Sequence, residues 1–380
     1  MSVLRVVFDE NLVGVQETLE GIAECQAMPG RDIHQANLID ADALLVRSVT
    51  RVSAEMVAGT ALRFVGTATA GYEHIDQQAL AANAIAFSAA PGCNAVAVAD
   101  YVLAAVLAVA DFWERLAAGG SLGIVGYGHV GRRVQGMFAA LGVRVLVHDP
   151  WLPEGEVPAS ASLDEVLSAD VITLHTSLHD RSPWPSCGLL SQECLSRISA
   201  DSLLINASRG EVIDQNALLA ACENGTAPTL VLDVWYGEPS VSAQLLNHCA
   251  LGSAHIAGYS QDAKWRGTQH ILGAMARSCD LNLSGRLQHL PTLPVSLGSG
   301  ASLADALRTL VSQVYDIRED DRLLREVVAQ PDAAKGFDAL RKQYRVRREL
   351  GAVSLQDDAG NAAVTVLGGM LTQLQYGDGP

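Results

Sequence analysis

Three segments far apart in the chain hold residue types suited to taking hydrogen from an alcohol that neighbours a carboxylate. Such a reaction needs a base for the hydroxyl proton and a cation that holds the carboxylate in place. Arg209 stands in Leu203-Leu204-Ile205-Asn206-Ala207-Ser208-Arg209-Gly210, just past an apolar run that reads as a strand. That is the edge where open α/β sheets bind ligands, and a guanidinium there can grip a carboxylate through two parallel bonds. Glu238 lies in the Gly/Pro-bounded loop Trp235-Tyr236-Gly237-Glu238-Pro239, and His255 follows in Ala254-His255-Ile256-Ala257-Gly258-Tyr259. A carboxylate bonded to an imidazole fixes its tautomer and raises its basicity, as suits a group that accepts and later releases a proton. Arg209, Glu238 and His255 are therefore the catalytic candidates.

A hydride acceptor must sit beside them, and Gly126-Tyr127-Gly128-His129-Val130-Gly131 supplies the pattern GxGxxG. Alone the pattern is weak; its context strengthens it. Leu122–Val125 precedes it as a strand, Arg132–Leu141 follows as a helix, Gly142 ends that helix, and Val143–Val147 reads as the next strand. In such a unit Gly126 permits the turn, Gly128 lets backbone approach a pyrophosphate, and Gly131 allows close helix–strand packing. The helix N-terminus then faces the phosphates. Asp149 follows the second strand, where a carboxylate binds ribose hydroxyls and repels a 2′-phosphate, so NAD is expected rather than NADP. Arg132 and Arg133 fall inside the helix and read as solvated or phosphate-facing.

Elements of parallel α/β architecture must position these groups. Runs rich in Val, Ile and Leu recur at Leu4–Phe8, Ala43–Val46, Phe64–Gly66, Leu122–Val125, Val143–Val147, Val171–Leu174, Leu203–Ile205 and Leu230–Leu232, with helix-length segments between them. Continuous apolar strands alternating with helices predict parallel sheets covered on both faces. The expected class is α/β, with two Rossmann-like or flavodoxin-like parallel-sheet domains. Past about residue 285 the texture changes to charged helices at Asp316–Val328 and Phe337–Arg348, a strand at Ala352–Leu355 and a helix near Asn361–Met370, an α+β module. The expected domains are 1–92 with 257–285 for substrate, 93–256 for NAD, and 286–380.

Composition narrows the function further. The 380 residues carry 26 Lys+Arg against 42 Asp+Glu, a net charge of -16 that repels polyanions and argues against nucleic-acid binding. The seven cysteines include no CxxC pair, so neither a zinc ribbon nor a disulfide framework is expected and a reducing cytoplasm fits best. The N-terminus reaches charge too early for a secretory signal. The apolar stretch Ala95–Ala110 contains Asp100 and is shorter than a membrane span needs, so it reads as a buried helix. His175 and His179 have zinc-pair spacing but follow a strand and lack a third ligand. No metal site is expected, and Cys93 reads as a turn or buried thiol.

The ordered segments GYGHVG, NASRG, DVWYGEP and HIAGYS resemble the D-isomer-specific 2-hydroxyacid dehydrogenases. The resemblance runs from the N-terminus to about residue 280. It implies catalytic roles for Arg209, Glu238 and His255 and contacts to NAD from Asp149, Thr176, Asp233 and Gly258. Together with the segments Val46–Thr50, Val65–Gly71 and Ala89–Asn94, it implies a small phosphorylated 2-hydroxy acid as substrate, touched by Ser48, Thr69 and Tyr259. It also implies that the C-terminal module mediates homodimerisation. Arg47 is a further candidate, because a cation must answer the substrate phosphate. Tyr72-Glu73-His74 replaces the family's small residue and Asp before His, and Ser182–Leu190 lacks the Thr and His of relatives. Two other readings stay open: a related enzyme acting on another acid such as 3-phosphoglycerate, and an NAD-sensing scaffold like the transcriptional corepressors that share the fold.

Overall fold

The computed structural model describes residues 3–153, 155–287, 290–297, 301–356 and 362–376. They fall into two compact units, Met1–Asn94 with Ser260–Pro291, and Ala95–Tyr259 with Thr292–Pro380. The C-terminal segment from Thr292 is thus part of the second unit.

The first unit is built on five parallel strands, β1 (Leu4–Asp9), β2 (Ala23–Met28), β3 (Ala43–Val46), β4 (Phe64–Thr67) and β5 (Ala86–Ser88), in the order β2-β1-β3-β4-β5. Every residue of β3 and β4 is buried, because these inner strands are covered on both faces. The edge strand β2 alternates with exposed Glu24 and Gln26. The helix Gln261–Ser278 returns to this unit and sets Ile271, Leu272 and Met275 into its core beside Leu45 and Phe64.

The second unit holds β6 (Ser121–Val125), β7 (Arg144–His148), β8 (Val171–Leu174), β9 (Leu203–Asn206), β10 (Thr229–Leu232) and β11 (Leu251–Gly252), all parallel. Their order is β11-β10-β9-β8-β6-β7. The order of strand addition reverses between β6 and β8, the switch point at which such sheets bind ligands beyond the carboxyl ends of their strands. The helix Ala95–Ala108 is buried almost all round, which explains its uninterrupted apolar sequence. Its Asp100 accepts the Leu350 N–H at 2.9 Å, so the one charged residue in that helix is spent on the C-terminal segment.

That segment contains the helices Leu303–Val314, Ile317–Val328, Ala333–Lys342 and Ala362–Tyr376, and a two-stranded parallel sheet of β12 (Leu293–Val295) and β13 (Val353–Leu355). The charged helix expected over Phe337–Arg348 is displaced toward the N-terminus. It ends at Lys342, because the arginines beyond it have tertiary partners that a continued helix would forgo. Arg345 pairs with the buried Asp320. Arg347, only 2% exposed, donates to the carbonyls of Ala97 and Ala257 and lies 3.6 Å from the Tyr315 ring centroid. The final helix runs from Ala362; Asn361, expected to begin it, lies outside the described residues.

Candidate active site

At the carboxyl end of β6 the chain enters the glycine loop and then the helix His129–Ala140. A Cβ on Gly131 would stand 2.1 Å from the Gly126 carbonyl oxygen, so this position must be glycine for helix and strand to pack. At Gly128 a Cβ would meet nothing within 4 Å. Backbone is thus bared where a phosphate would approach, as dinucleotide binding requires. Asp149 accepts N–H bonds from Tyr127 at 2.8 Å and Trp151 at 3.0 Å. One of its oxygens thus faces the glycine loop and the other the Trp151 backbone, and each keeps a lone pair for a ribose hydroxyl.

A cavity of about 580 Å3 opens here, lined by Gly126, Gly128, Asp149, His175 and Thr176 among others. The Thr176 hydroxyl and His175 Nδ1 are buried without hydrogen-bond partners. Such orphans are costly unless a ligand satisfies them. Burial pushes the His175 imidazole down to about 3, so it faces the cavity neutral. The divergent loop Ser182–Leu190 lines the far side. Trp184 and His179 both meet Trp151 edge-on at 5.4 Å, and Arg181 stands 5.1 Å from the same ring. This aromatic and cationic cluster at the cavity was not picked out from the sequence; Trp151 two residues past Asp149 was its available signal.

Farther along the same edge lie the catalytic candidates. Arg209, Glu238 and His255 follow β9, β10 and β11, three consecutive neighbours in the sheet. Gly210 binds the first loop to the second: a Cβ there would stand 2.1 Å from the Trp235 carbonyl carbon, so only glycine lets NASRG pack on WYGEP. The Arg209 guanidinium donates to the Ser208 carbonyl at 2.8 Å, and Asn206 holds the Arg209 carbonyl at 2.9 Å. Glu238 accepts the Trp235 N–H at 2.9 Å with one oxygen and faces His255 Nδ1 at 2.7 Å with the other. Burial works to raise the Glu238 carboxyl, yet the hydrogen bond and charge of His255, the Trp235 N–H and the Arg341 cation together hold it below its ordinary value. With Nδ1–H given to an ionised carboxylate, Nε2 is the imidazole's basic nitrogen.

His255 is held in a left-handed conformation, φ 54°, which costs energy that the surroundings must offset. Asp233 does so. Only 1% exposed, its carboxylate accepts from the Ser253 hydroxyl at 2.6 Å and from the N–H groups of Ile256 and Ala257 at 2.8 and 2.9 Å, while its carbonyl takes the His255 N–H. Its side chain, expected at the cofactor, also braces the turn that presents His255. Gly258 and Tyr259 complete that turn, Tyr259 donating its N–H to Ile256 at 2.7 Å.

In the first unit, Arg47 follows β3 and pairs with the fully buried Asp9 at 3.2 Å. Lys264, in the first turn of the helix Gln261–Ser278, has its amine lowered by burial and by the charge of Arg47. Two cations close enough to repel create a place for an anion, and Lys264 was not picked out from the sequence. Ser48 is exposed beside Arg47. Thr69 donates to the Gly71 carbonyl at 2.7 Å and joins Thr67, which in turn contacts His74 at 3.0 Å. His74, in the divergent Tyr72-Glu73-His74, therefore braces the hydroxyl loop.

A glycine-lined dinucleotide cradle beside an imidazole–carboxylate pair and an arginine defines an NAD-dependent dehydrogenase. Residues 108–257 match the family model described as D-isomer specific 2-hydroxyacid dehydrogenase, NAD binding domain, and residues 287–368 match a domain of unknown function. An erythronate-4-phosphate dehydrogenase of Cronobacter sakazakii is 41% identical over 96% of this chain and 98% of its own length. One from Serratia proteamaculans is 41% identical over 97% of this chain and 100% of its own. A D-lactate dehydrogenase from Aquifex aeolicus, solved with NAD and lactic acid, shares the fold with a TM-score of 0.58 and 22% identity over 72% of this chain and 96% of that one. The chain belongs to the D-isomer-specific 2-hydroxyacid dehydrogenase family, and NAD is its cofactor.

Proposed function

We infer that this chain oxidises 4-phospho-D-erythronate to (R)-3-hydroxy-2-oxo-4-phosphobutanoate, a step of pyridoxal 5′-phosphate biosynthesis. Near-full-length identity of about two residues in five with the erythronate-4-phosphate dehydrogenases supports this substrate. The observation that carries the chemistry is the 2.7 Å contact between His255 Nδ1 and Glu238, on the sheet edge that also bears Arg209.

In this reading Arg209 holds the substrate carboxylate and C2 oxygen through its planar fork. His255 Nε2 takes the C2 hydroxyl proton, and Glu238 stabilises the imidazolium that forms. NAD, when bound, accepts the hydride. Gly126, Gly128 and Gly131 admit its pyrophosphate, and Asp149 and Thr176 bond its polar groups. Asp233 acts through the turn it braces, with Gly258 beside the cofactor. Ser48, Thr69 and Tyr259 touch the substrate, and Arg47 with Lys264 answers its phosphate. Lys264 adds a second positive charge beside Arg47, which itself pairs with Asp9, and a dianion is favoured where two cations stand together.

The chain acts as a homodimer joined through residues 286–380 and works in the cytoplasm. The first statement rests on the family resemblance, and the match to the erythronate-4-phosphate dehydrogenases extends through this segment. All seven cysteines are free, which fits a reducing compartment. The test is NADH formation with 4-phospho-D-erythronate, 3-phosphoglycerate and D-lactate, run beside light scattering for oligomeric state. The reading expects the first acid to have the highest kcat/KM, with D-lactate, which brings no phosphate to the Arg47 and Lys264 region, lower by about 100-fold or more. A higher value for 3-phosphoglycerate would overturn it, and NAD binding without turnover on any acid would favour an NAD-sensing scaffold.

A further inference from the structure

We infer that Arg341, carried by the C-terminal segment, is a positioning residue of the catalytic centre: laid against Tyr259, it is the fixed cation that steadies the Glu238–His255 pair. The inference rests on the roles given to that pair above.

Several contacts bring the segment to the His255 turn. The helix Ala333–Lys342 anchors itself through Phe337, fully buried one turn before Arg341. The Arg341 guanidinium carbon stands 5.9 Å from the ring centroids of both Phe337 and Tyr259. Tyr344 meets Tyr259 edge-on at 5.7 Å. Ala254 and Ile256, the two neighbours of His255, line one cavity together with Leu340 and Tyr344. Arg347 bonds the Ala257 carbonyl at 3.2 Å. The turn presenting His255 is therefore bounded by this segment as well as by Asp233.

Other charges on that side already have partners. Asp320 is matched by Arg345 and by the hydroxyls of Tyr315 and Tyr344, and Arg325 is matched by Asp321. The Nε of Arg341, like that of Arg347, is buried without a hydrogen-bond partner, but Arg347 is held by two carbonyls and Arg341 by none among the described residues. A guanidinium kept beside two aromatic rings at the cost of an orphaned donor acts through its charge. The charge acts on Glu238 beside the larger effects of burial, which raises its carboxyl, and of His255 and the Trp235 N–H, which lower it. A cation there favours the ionised carboxylate that fixes the tautomer of His255, and it opposes retention of the proton that His255 takes from substrate.

The experiment is the pH dependence of kcat/KM for hydroxy-acid oxidation by the full-length R341M and R341K variants, with E238Q alongside. R341M keeps the apolar stem over Tyr259, and R341K keeps a charge. Oxidation requires unprotonated His255, so the rate rises with pH through one ionisation. Removing the cation lets the pair hold its proton more tightly. In R341M that ionisation should move up by about one unit, with kcat/KM about tenfold lower on the acidic side and recovering at high pH. R341K should recover most of the shift. An unmoved ionisation in R341M, or equal loss at every pH that R341K does not rescue, would overturn the inference. Wild-type turnover in E238Q would instead overturn the reading on which it rests, so the two failures are distinguishable.

Discussion

The two halves of the second unit's sheet edge are prepared in opposite ways. Around β6 and β8 the protein leaves groups unsatisfied: bare backbone at Gly128, a buried Thr176 hydroxyl without a partner, and a cavity of about 580 Å3. Around β9, β10 and β11 it leaves almost nothing loose. Gly210 is pressed on Trp235, Glu238 is bonded to His255 and Trp235, and the Asp233 carboxylate takes three donors to hold the turn. A cofactor site is made of vacant bonds that the ligand completes. A catalytic site is made of bonds completed in advance, so that no reorganisation falls on the reacting step. The comparison predicts that changes at the first region act on affinity, and changes at the second on turnover or on the fold.

The largest effect should come from the braced side. Arg209→Ala should reduce kcat/KM by about 10^2- to 10^3-fold, as does the loss of a donor that meets charge in the transition state. His255→Asn should reduce it by about 10^2- to 10^4-fold through loss of the base. Isothermal titration should give NAD affinities within about threefold of the parent for both, a change under 1 kcal/mol. A large loss of NAD affinity in either variant would erase the distinction between the two halves.

Next in size is a pair of substitutions within the glycine motif. Gly131→Ala places a methyl group 2.1 Å from the Gly126 carbonyl oxygen and should destabilise by about 1–3 kcal/mol, as overpacking does. Gly128→Ala meets no atom within 4 Å, and its φ of -76° suits alanine, so the melting temperature should stay put. Its NAD dissociation constant should rise by about tenfold or more, since the methyl group occupies the phosphate approach. Equal melting temperatures for the two variants, or unchanged NAD affinity in Gly128→Ala, would contradict the geometry.

Much of this was legible in the sequence, for reasons that differ between elements. Inner strands such as Val171–Leu174 and Ala43–Val46 announce themselves because burial on both faces demands an unbroken apolar run. Ala23–Met28 was missed because it is an edge strand whose Glu24 and Gln26 face water, leaving a pattern indistinguishable from a polar connection. The loops bearing Arg209, Glu238 and His255 follow strands whose ends are visible. Arg341 lies 86 residues beyond His255, on an amphipathic helix where an arginine ordinarily faces solvent. Only the tertiary fold lays it on Tyr259. Asp233 entered through the family resemblance as a contact to NAD, and the tertiary fold adds that its carboxylate also braces the turn of His255.

The smallest expected effect separates the pair's stabilising role from its chemical one. The Glu238 carboxyl is held below its ordinary value of 4.5 in the folded protein. A depressed carboxyl contributes stability above the unfolded value, and that contribution disappears as pH falls through the lower folded value. The melting temperature of the parent should therefore exceed that of Glu238→Gln by a constant margin above about pH 5.5, one unit over the ordinary value. The margin should narrow as the solution is acidified below the ordinary carboxyl value of 4.5 and through the lower folded one. The side chain is 20% exposed, so screening keeps the margin to about 1 kcal/mol or less. Differential scanning across that range measures it. A margin that did not narrow at all on acidification would mean that the carboxylate's ionisation adds nothing to the fold, and that the 2.7 Å contact with His255 serves catalysis alone.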